Sequence, residues 1–269
     1  MLNKINDLEK IAKEYKRELF EKFLSVGQGH PGSVFSMLDI VVALYHGGIL
    51  RFNKEKKAFE EKVLISKGHA TVALYPILVN FGIISKKEWD NWGSGKTILR
   101  VFGNNSIPGI DVTSGSLGHG IGVGAGIALS NKLEKNSKKV YAVISEGELY
   151  EGSTWEAMLF ASHNKLDNLV IVIDVNSLII LGSTEDCLNL NPIKEKLVGM
   201  NFNIIECDGH DYKSLLTSFN HEVRAGQPTC IIANTIKGKG LSIMENKANW
   251  HYWNPLNEDQ IKICREELK

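Results

Sequence analysis

Residues 140–182, VYAVISEGELYEGSTWEAMLFASHNKLDNLVIVIDVNSLIILG, leave few folds open. An apolar run over 140–144 breaks off at Ser145-Glu146-Gly147-Glu148, and a second, Leu169–Val175, breaks off at Asn176. Between them the pattern predicts a helix over 154–164, with Trp155, Met158, Leu159 and Ser162 at i, i+3, i+4 and i+7. Strand, helix and strand in that order form a βαβ unit, whose right-handed crossover brings both strand ends to one edge of a parallel sheet. Glu146 and Asn176 are therefore expected side by side. A carboxylate and an amide oxygen there, beside Gly147, suit a hard divalent cation that carries a phosphate. An ordinary βα turn would carry the same residue types, so these residues alone leave both readings open.

The remaining chain continues the alternation. Helices are predicted over 5–24, with Ile5, Leu8, Ile11, Ala12, Tyr15, Leu19 and Phe23 on one face, then over 36–46, 70–80, 86–92 and 117–132. A short strand over 63–66 ends in Lys67-Gly68-His69, and residues 27–33 and 107–116 read as loops. Beyond the central unit come helix 192–198, strand 203–206, helix 212–225, strand 228–236 and a closing helix from Asn257. This predicts an α/β fold with a mostly parallel sheet and helices on both faces. No repeat, low-complexity tract or linker divides the chain, so 1–269 is expected to be a single domain.

At 269 residues, with 31 basic and 31 acidic side chains, the chain has no positive excess to attract nucleic acid or a membrane surface. The N-terminus is a charged amphipathic segment without a signal-peptide core, and no apolar stretch reaches the ~20 residues of a membrane span. Cys187, Cys207, Cys230 and Cys264 lack ligand-like spacing and fit thiols in a reducing cytoplasm. Zero net charge hints that solubility depends on assembly with a partner.

His30 in GHPGS, His69 in SKGHA and His251 in MENKANWHY sit in loops at element ends. Imidazole there can bind phosphate or shuttle protons, although each one singly also fits a solvated surface residue. His46, His163, His210 and His221 read as structural. The glycines over 115–126 contain a GxGxxA spacing, but no predicted strand runs into it, as a dinucleotide fingerprint requires. Close helix–helix packing explains these small residues better. Lys237 and Lys239 could steer phosphate or simply be solvated.

The central block resembles the thiamine-diphosphate motif of the transketolase family, a GDGE-like element followed at similar spacing by a metal-ligand Asn. WEA, KLDNL, GHPGS, the GHA segment and KGKGxSxMENxxxWH match in the same order. The resemblance implies the diphosphate-binding (N-terminal) domain of such an enzyme. It places His30, His69 and His251 at the reaction centre, with His69, Gly115, Leu117, Gly147, Glu148, Asn176 and His251 against thiamine diphosphate. It assigns the metal, Mg²⁺ with Ca²⁺ or Mn²⁺ as alternatives, to Glu146, Asn176 and the Leu178 carbonyl. Glu151 and Glu156 match interface glutamates, and His119 stands where many relatives have Gln. Three positions depart from the pattern: Glu146 stands for Asp, Ser145 for Gly, and Val101 for a donor-sugar His. The resemblance covers only half of a full-length transketolase, so a separate pyrimidine-domain subunit is expected, in a two-fold heterotetramer. The implied reaction moves a two-carbon ketol unit from a ketose to an aldehyde, with sugars or sugar phosphates as substrates. A 2-oxo acid decarboxylase subunit and a non-catalytic scaffold are the competing readings.

Overall fold

The strands are near-continuous runs of branched apolar residues because both sheet faces are covered. The computed structural model describes residues 2–269. In chain order come α1 (Leu2–Val26), α2 (Pro31–His46), a short hairpin of β1 (Phe52–Asn53) and β2 (Ala58–Phe59), and β3 (Lys62–Ile65). A 3₁₀ turn at Gly68–Ala73 leads into α3 (Leu74–Asn80) and α4 (Lys86–Asp90), and a long irregular stretch then leads to α5 (His119–Leu133). Next are β4 (Val140–Ser145), a 3₁₀ turn at Glu146–Tyr150, α6 (Gly152–His163), β5 (Leu169–Val175), α7 (Thr184–Leu188) and α8 (Ile193–Gly199). The chain closes with β6 (Asn203–Asp208), α9 (Tyr212–Phe219), β7 (Thr229–Asn234), a 3₁₀ turn at Ala248–His251 and α10 (Glu258–Glu267).

Five strands pair in the order β3-β4-β5-β7-β6, all parallel, as the alternation of strands and helices predicts. Alternate residues of each strand enter opposite cores. Tyr141, Val143, Val170, Val172 and Ile231 pack with α1, α2, α3 and α9. Val140, Ile144, Leu169, Ile171, Ile173 and Ile232 pack with α5, α6 and α8. The central βαβ unit is present, and β4 and β5 run in register with Ser145 opposite Asp174.

Several local expectations are corrected. Helix α2 begins at Pro31, because proline has its φ pre-set and no N–H to lose in a first turn, so the loop predicted over 27–33 is shorter. Helix α9 stops at Phe219, where the side chains of Asn220 and His221 take the carbonyls of Leu216 and Ser218. On α6 the buried face is Thr154, Ala157, Met158 and Ala161, whereas Leu159 is 57% exposed. The β1–β2 hairpin escaped sequence reasoning because two-residue strands carry no periodicity; Phe52, Phe59 and Phe81, in tilted and edge-on contact, hold it. Among the described residues no helix is long and apolar enough to cross a membrane.

Gly120 and Gly124 of α5 serve helix–sheet packing, whereas Gly118, just before its first turn, meets Ser153 and Thr154 of α6, as the helix–helix expectation has it. A Cβ on Gly120 would lie 2.7 Å from the Ser66 Cα, just past the end of β3, whereas Gly122 faces open space. Gly120→Ala is therefore expected to destabilise by about 1–3 kcal/mol through overpacking. Gly122→Ala should stabilise by up to ~1 kcal/mol through helix propensity. Denaturant unfolding of the two variants checks the pair; equal effects would contradict this packing.

Candidate active site

The turns at the carboxyl edge of the sheet enclose a cavity of about 300 Å³. His69, Glu146, Asn176, Lys237, His251 and Tyr252 are among its walls. Such a position, outside the strand ends of a parallel sheet, is where ligands bind in this fold class.

Glu146 and Asn176 stand together, as the crossover predicts. The Ser177 N–H donates to Glu146 Oε2 at 2.8 Å and the Thr184 hydroxyl to Oε1 at 2.7 Å, while Asn176 Oδ1 accepts the Leu178 N–H at 3.2 Å. Each of these oxygens retains a lone pair, and the Leu178 carbonyl belongs to the same wall. Among the described residues no three His, Cys, Asp or Glu side chains form a metal cluster. The donor set is one carboxylate, one amide oxygen and one carbonyl, all hard oxygens, which fits Mg²⁺ or Ca²⁺ chemistry.

Glu148 is a correction to the expected cofactor contacts, because it lies sealed beneath the cavity with no exposed surface. Its Oε1 accepts from the Ser66 hydroxyl and the Gly118 N–H, and its Oε2 accepts from the Ser145 N–H. The Ser145 hydroxyl in turn accepts the Glu148 N–H, completing a capping box. Serine at 145 thus starts the turn that presents Glu146. Burial pushes the Glu148 carboxyl up, against the opposing pull of its donors.

Two lysines escaped sequence reasoning as buried groups. Lys67 is 1% exposed and pairs with Asp174, which is wholly buried near the end of β5. Burial pushes the Asp174 carboxyl up, but the Lys67 ammonium and the Ser36 and Thr235 hydroxyls together hold it below the usual carboxylate range. A charge inside an apolar strand was the available signal, since a buried carboxylate requires a partner. Lys237, read as solvated or phosphate-steering, is 2% exposed. Its ammonium reaches only the Leu178 carbonyl at 3.4 Å and His251 Nδ1 at 3.3 Å, with no carboxylate partner among the described residues. Burial, reinforced by Lys67, lowers its pKa to about 8. A buried ammonium without a counter-ion is complementary to an anion, and His30 Nδ1, buried without a hydrogen-bond partner, is a second unfilled polar atom nearby.

His30, His69 and His251 come together from three loops, with ring centroids 5.1 to 5.4 Å apart. Burial, then Lys237, lowers His30 to about 4; the same causes with His30 and Lys67 lower His251 to about 3. His69 falls well below its ordinary value, first through burial and then through Lys67. All three are neutral at physiological pH. An ammonium can only donate, so His251 Nδ1 accepts from Lys237 and its proton sits on Nε2.

Leu117 and Gly147 line the cavity with His69, Glu146, Asn176, Leu178 and His251, while His30 stands behind Tyr252 at 4.9 Å between rings. Gly115 lies outside the wall, beneath the Phe102 ring. Glu151 also lines the cavity, whereas Glu156 and His119 are exposed on helices. Val101, expected at the position of the donor-sugar His, instead packs against the core. Its neighbour Phe102 turns to the site, its ring 5.9 Å from that of His30. Counting residues through an irregular loop cannot fix which side chain faces inward.

The chain matches the family described as transketolase, thiamine diphosphate binding domain, over residues 11–269. It belongs to the transketolase family. It is 34% identical to an apulose-4-phosphate transketolase subunit of Phocaeicola vulgatus, covering 97% of this chain and 94% of that one. With a 6-deoxy-6-sulfo-D-fructose transketolase subunit of Clostridium sp. it shares 31% identity, over 98% of this chain and 96% of the other. The transketolase structure from Campylobacter jejuni superposes with a TM-score of 0.84 at 26% identity, covering 96% of this chain and 43% of that one. The chain is thus the N-terminal, thiamine-diphosphate-binding part of a transketolase-type transferase, and the α/β fold expected from sequence is the family's fold.

The histidine cluster makes stability depend on pH with a defined sign. Unfolded imidazoles protonate near 6.5, whereas folded His30 and His251 do so only at about 4 and about 3. Above the unfolded value these groups are neutral in both states. Below it the unfolded chain binds protons first, and stability falls until the folded values are passed. The expected slope is at most about 1.4 kcal/mol per pH unit for each histidine. Urea unfolding between about pH 7 and pH 5 measures it. His251→Asn should flatten the slope, and an unchanged slope would contradict the neutral, buried assignment.

Proposed function

We propose that residues 1–269 act as one diphosphate-binding domain of a split transketolase, completed by a separate pyrimidine-domain subunit of comparable size. The observation that carries this reading is the cavity itself, with Lys237 as an unpaired buried ammonium beside hard oxygen donors and neutral imidazoles. Both relatives named as transketolase subunits match over nearly their whole length, which supports the division into two chains. Exposed apolar side chains point the same way. Val123 on α5, Leu159 and Phe160 on α6, and Leu181 and Leu188 beside the cavity form apolar surface that a partner would cover. Two copies of each chain would close about a two-fold axis. Cytoplasmic location accords with the free, unpaired cysteines.

Thiamine diphosphate, when bound, supplies the carbanion stabilisation that cleaving a C–C bond beside a carbonyl requires. Lys237, helped by Lys67, would hold the diphosphate, and Glu146, Asn176 and the Leu178 carbonyl would hold Mg²⁺. Glu146 reaches one methylene further than Asp, and the Ser177 N–H and Thr184 hydroxyl fix how its carboxylate is aimed. The diphosphate charge would offset the ammonium charge that, after burial, lowers His30 and His251. His251 Nε2–H is placed to donate, and His69, hydrogen-bonded to Ser33 at 3.1 Å, keeps the second imidazole in a fixed orientation. Tyr252 in the cavity wall and Phe102 beside His30 offer aromatic surface suited to the C–H face of a sugar. The transferred unit is two carbons from a ketose to an aldehyde, and the sugar-derived substrates named for the two subunit relatives support a sugar or sugar phosphate here.

Calorimetric titration of thiamine diphosphate tests this, on the chain alone and co-expressed with a pyrimidine-domain subunit, each with Mg²⁺ and with EDTA. Binding that requires both partner and metal is expected. In that complex Lys237→Met should raise Kd by roughly 10- to 100-fold, through loss of a charge-assisted hydrogen bond. Full affinity in the lone chain would refute the two-chain site. No binding by a folded complex would refute the cofactor reading.

A further inference from the structure

We infer that His210 is a positioning residue for the cofactor site, holding the turn that aims Lys237 into the cavity; this rests on the function proposed above. The residue read as structural in sequence lies in the turn after β6, where Asp208 Oδ1 accepts the His210 N–H at 2.8 Å. Its ring bridges two elements. Nε2 accepts the backbone N–H of Ile236 at 2.8 Å, and Nδ1 lies 2.8 Å from Asp39 Oδ2. A ring nitrogen that accepts carries no proton, so the proton sits on Nδ1 and is donated to Asp39.

Asp39 is a firm acceptor. It is 3% exposed and also receives the Lys16 ammonium and the Tyr212 hydroxyl, both at 3.0 Å. Because Asp39 is on α2, whose first turn carries Gly32, His210 couples that helix to the segment after β7. The Thr235 N–H still reaches the Val175 carbonyl of β5, but beyond it the strand ladder is finished. The Ile236 N–H is the next donor in the chain, and His210 is what satisfies it.

Lys237 follows immediately. The Gly238 N–H bonds the Gly32 carbonyl at 3.0 Å, and the Lys237 side chain passes over Gly32, where a Cβ would come within 3.1 Å of its methylenes. At its tip the ammonium has, among the described residues, only two long contacts, to Leu178 and His251. Direction therefore comes from its packed methylenes and from the backbone, where the Lys237 carbonyl also accepts the Asn246 N–H at 3.0 Å. His210 fixes residue 236 on one side, and Gly32 fixes residue 238 on the other.

Two amide substitutions separate the ring's two bonds. Asn in place of His210 sets its amide at the Nδ1 position, keeping the bond to Asp39 and losing the acceptor for Ile236. Gln sets its oxygen near the Nε2 position, keeping that acceptor and losing the donor to Asp39. Without cofactor, His210→Asn should speed Ile236 amide exchange and Lys237 labelling by an amine-reactive reagent by about tenfold. His210→Gln should leave both near wild type. In the complex with the partner subunit, His210→Asn should raise the thiamine diphosphate Kd by about tenfold with kcat at saturating cofactor nearly unchanged, and Lys237→Met should abolish that difference.

Equal exchange and labelling in the Asn variant and wild type would overturn the inference. So would impairment of both variants in proportion to their loss of thermal stability, or an undiminished affinity loss in the Lys237→Met background. A wild-type complex that binds no thiamine diphosphate would instead refute the functional reading, while the cofactor-free comparison still decides whether His210 holds the turn.

Discussion

Asp174 is a carboxylate in an otherwise apolar strand, and the arrangement of the site depends on how its charge is met. Lys67, on the turn after β3, supplies the ammonium; Ser36 on α2 and Thr235 after β7 supply hydroxyls. One side chain thereby ties three segments to the carboxyl edge of the sheet. Such a pair adds little net stability compared with apolar packing, but removing one partner strands a buried charge at a cost of about 3–5 kcal/mol. The pair fixes geometry: it sets the Lys67 turn, and hence His69, against β5 and Asn176.

The charges above this pair are unbalanced. Lys67 has Asp174, whereas Lys237 has only a carbonyl and an imidazole. Burial makes the imbalance costly by itself and favourable to an anion, which is how a pre-organised site stores affinity. Burial first, and this positive charge second, keep the three imidazoles neutral.

Beneath the cavity the polar groups satisfy one another. Ser145 and Glu148 close a reciprocal cap, and Glu148 also gathers the Ser66 hydroxyl and the Gly118 N–H. A residue that reads as a cofactor contact is the joint between β4, the turn after β3 and the start of α5. Its partners in the other two segments are 30 and 82 positions away in sequence, so the local capping-box spacing alone does not show that the carboxylate is sealed in.

Apolar runs alternating with helical periodicity were enough to specify the parallel α/β fold. They were also enough to bring Glu146 and Asn176 together, because crossover handedness leaves one arrangement of strand ends. Motif resemblance extended this to His30, His69 and His251. Nothing short of the folded arrangement could establish that Lys237 is buried and unpaired, that Glu148 is sealed in, that Phe102 and not Val101 faces the site, or that His210 braces the Lys237 turn. The physical reason is common to these. Strand and helix formation follow short-range periodicity, whereas burial, charge balance and the direction of loop side chains sum contributions from segments far apart in the chain.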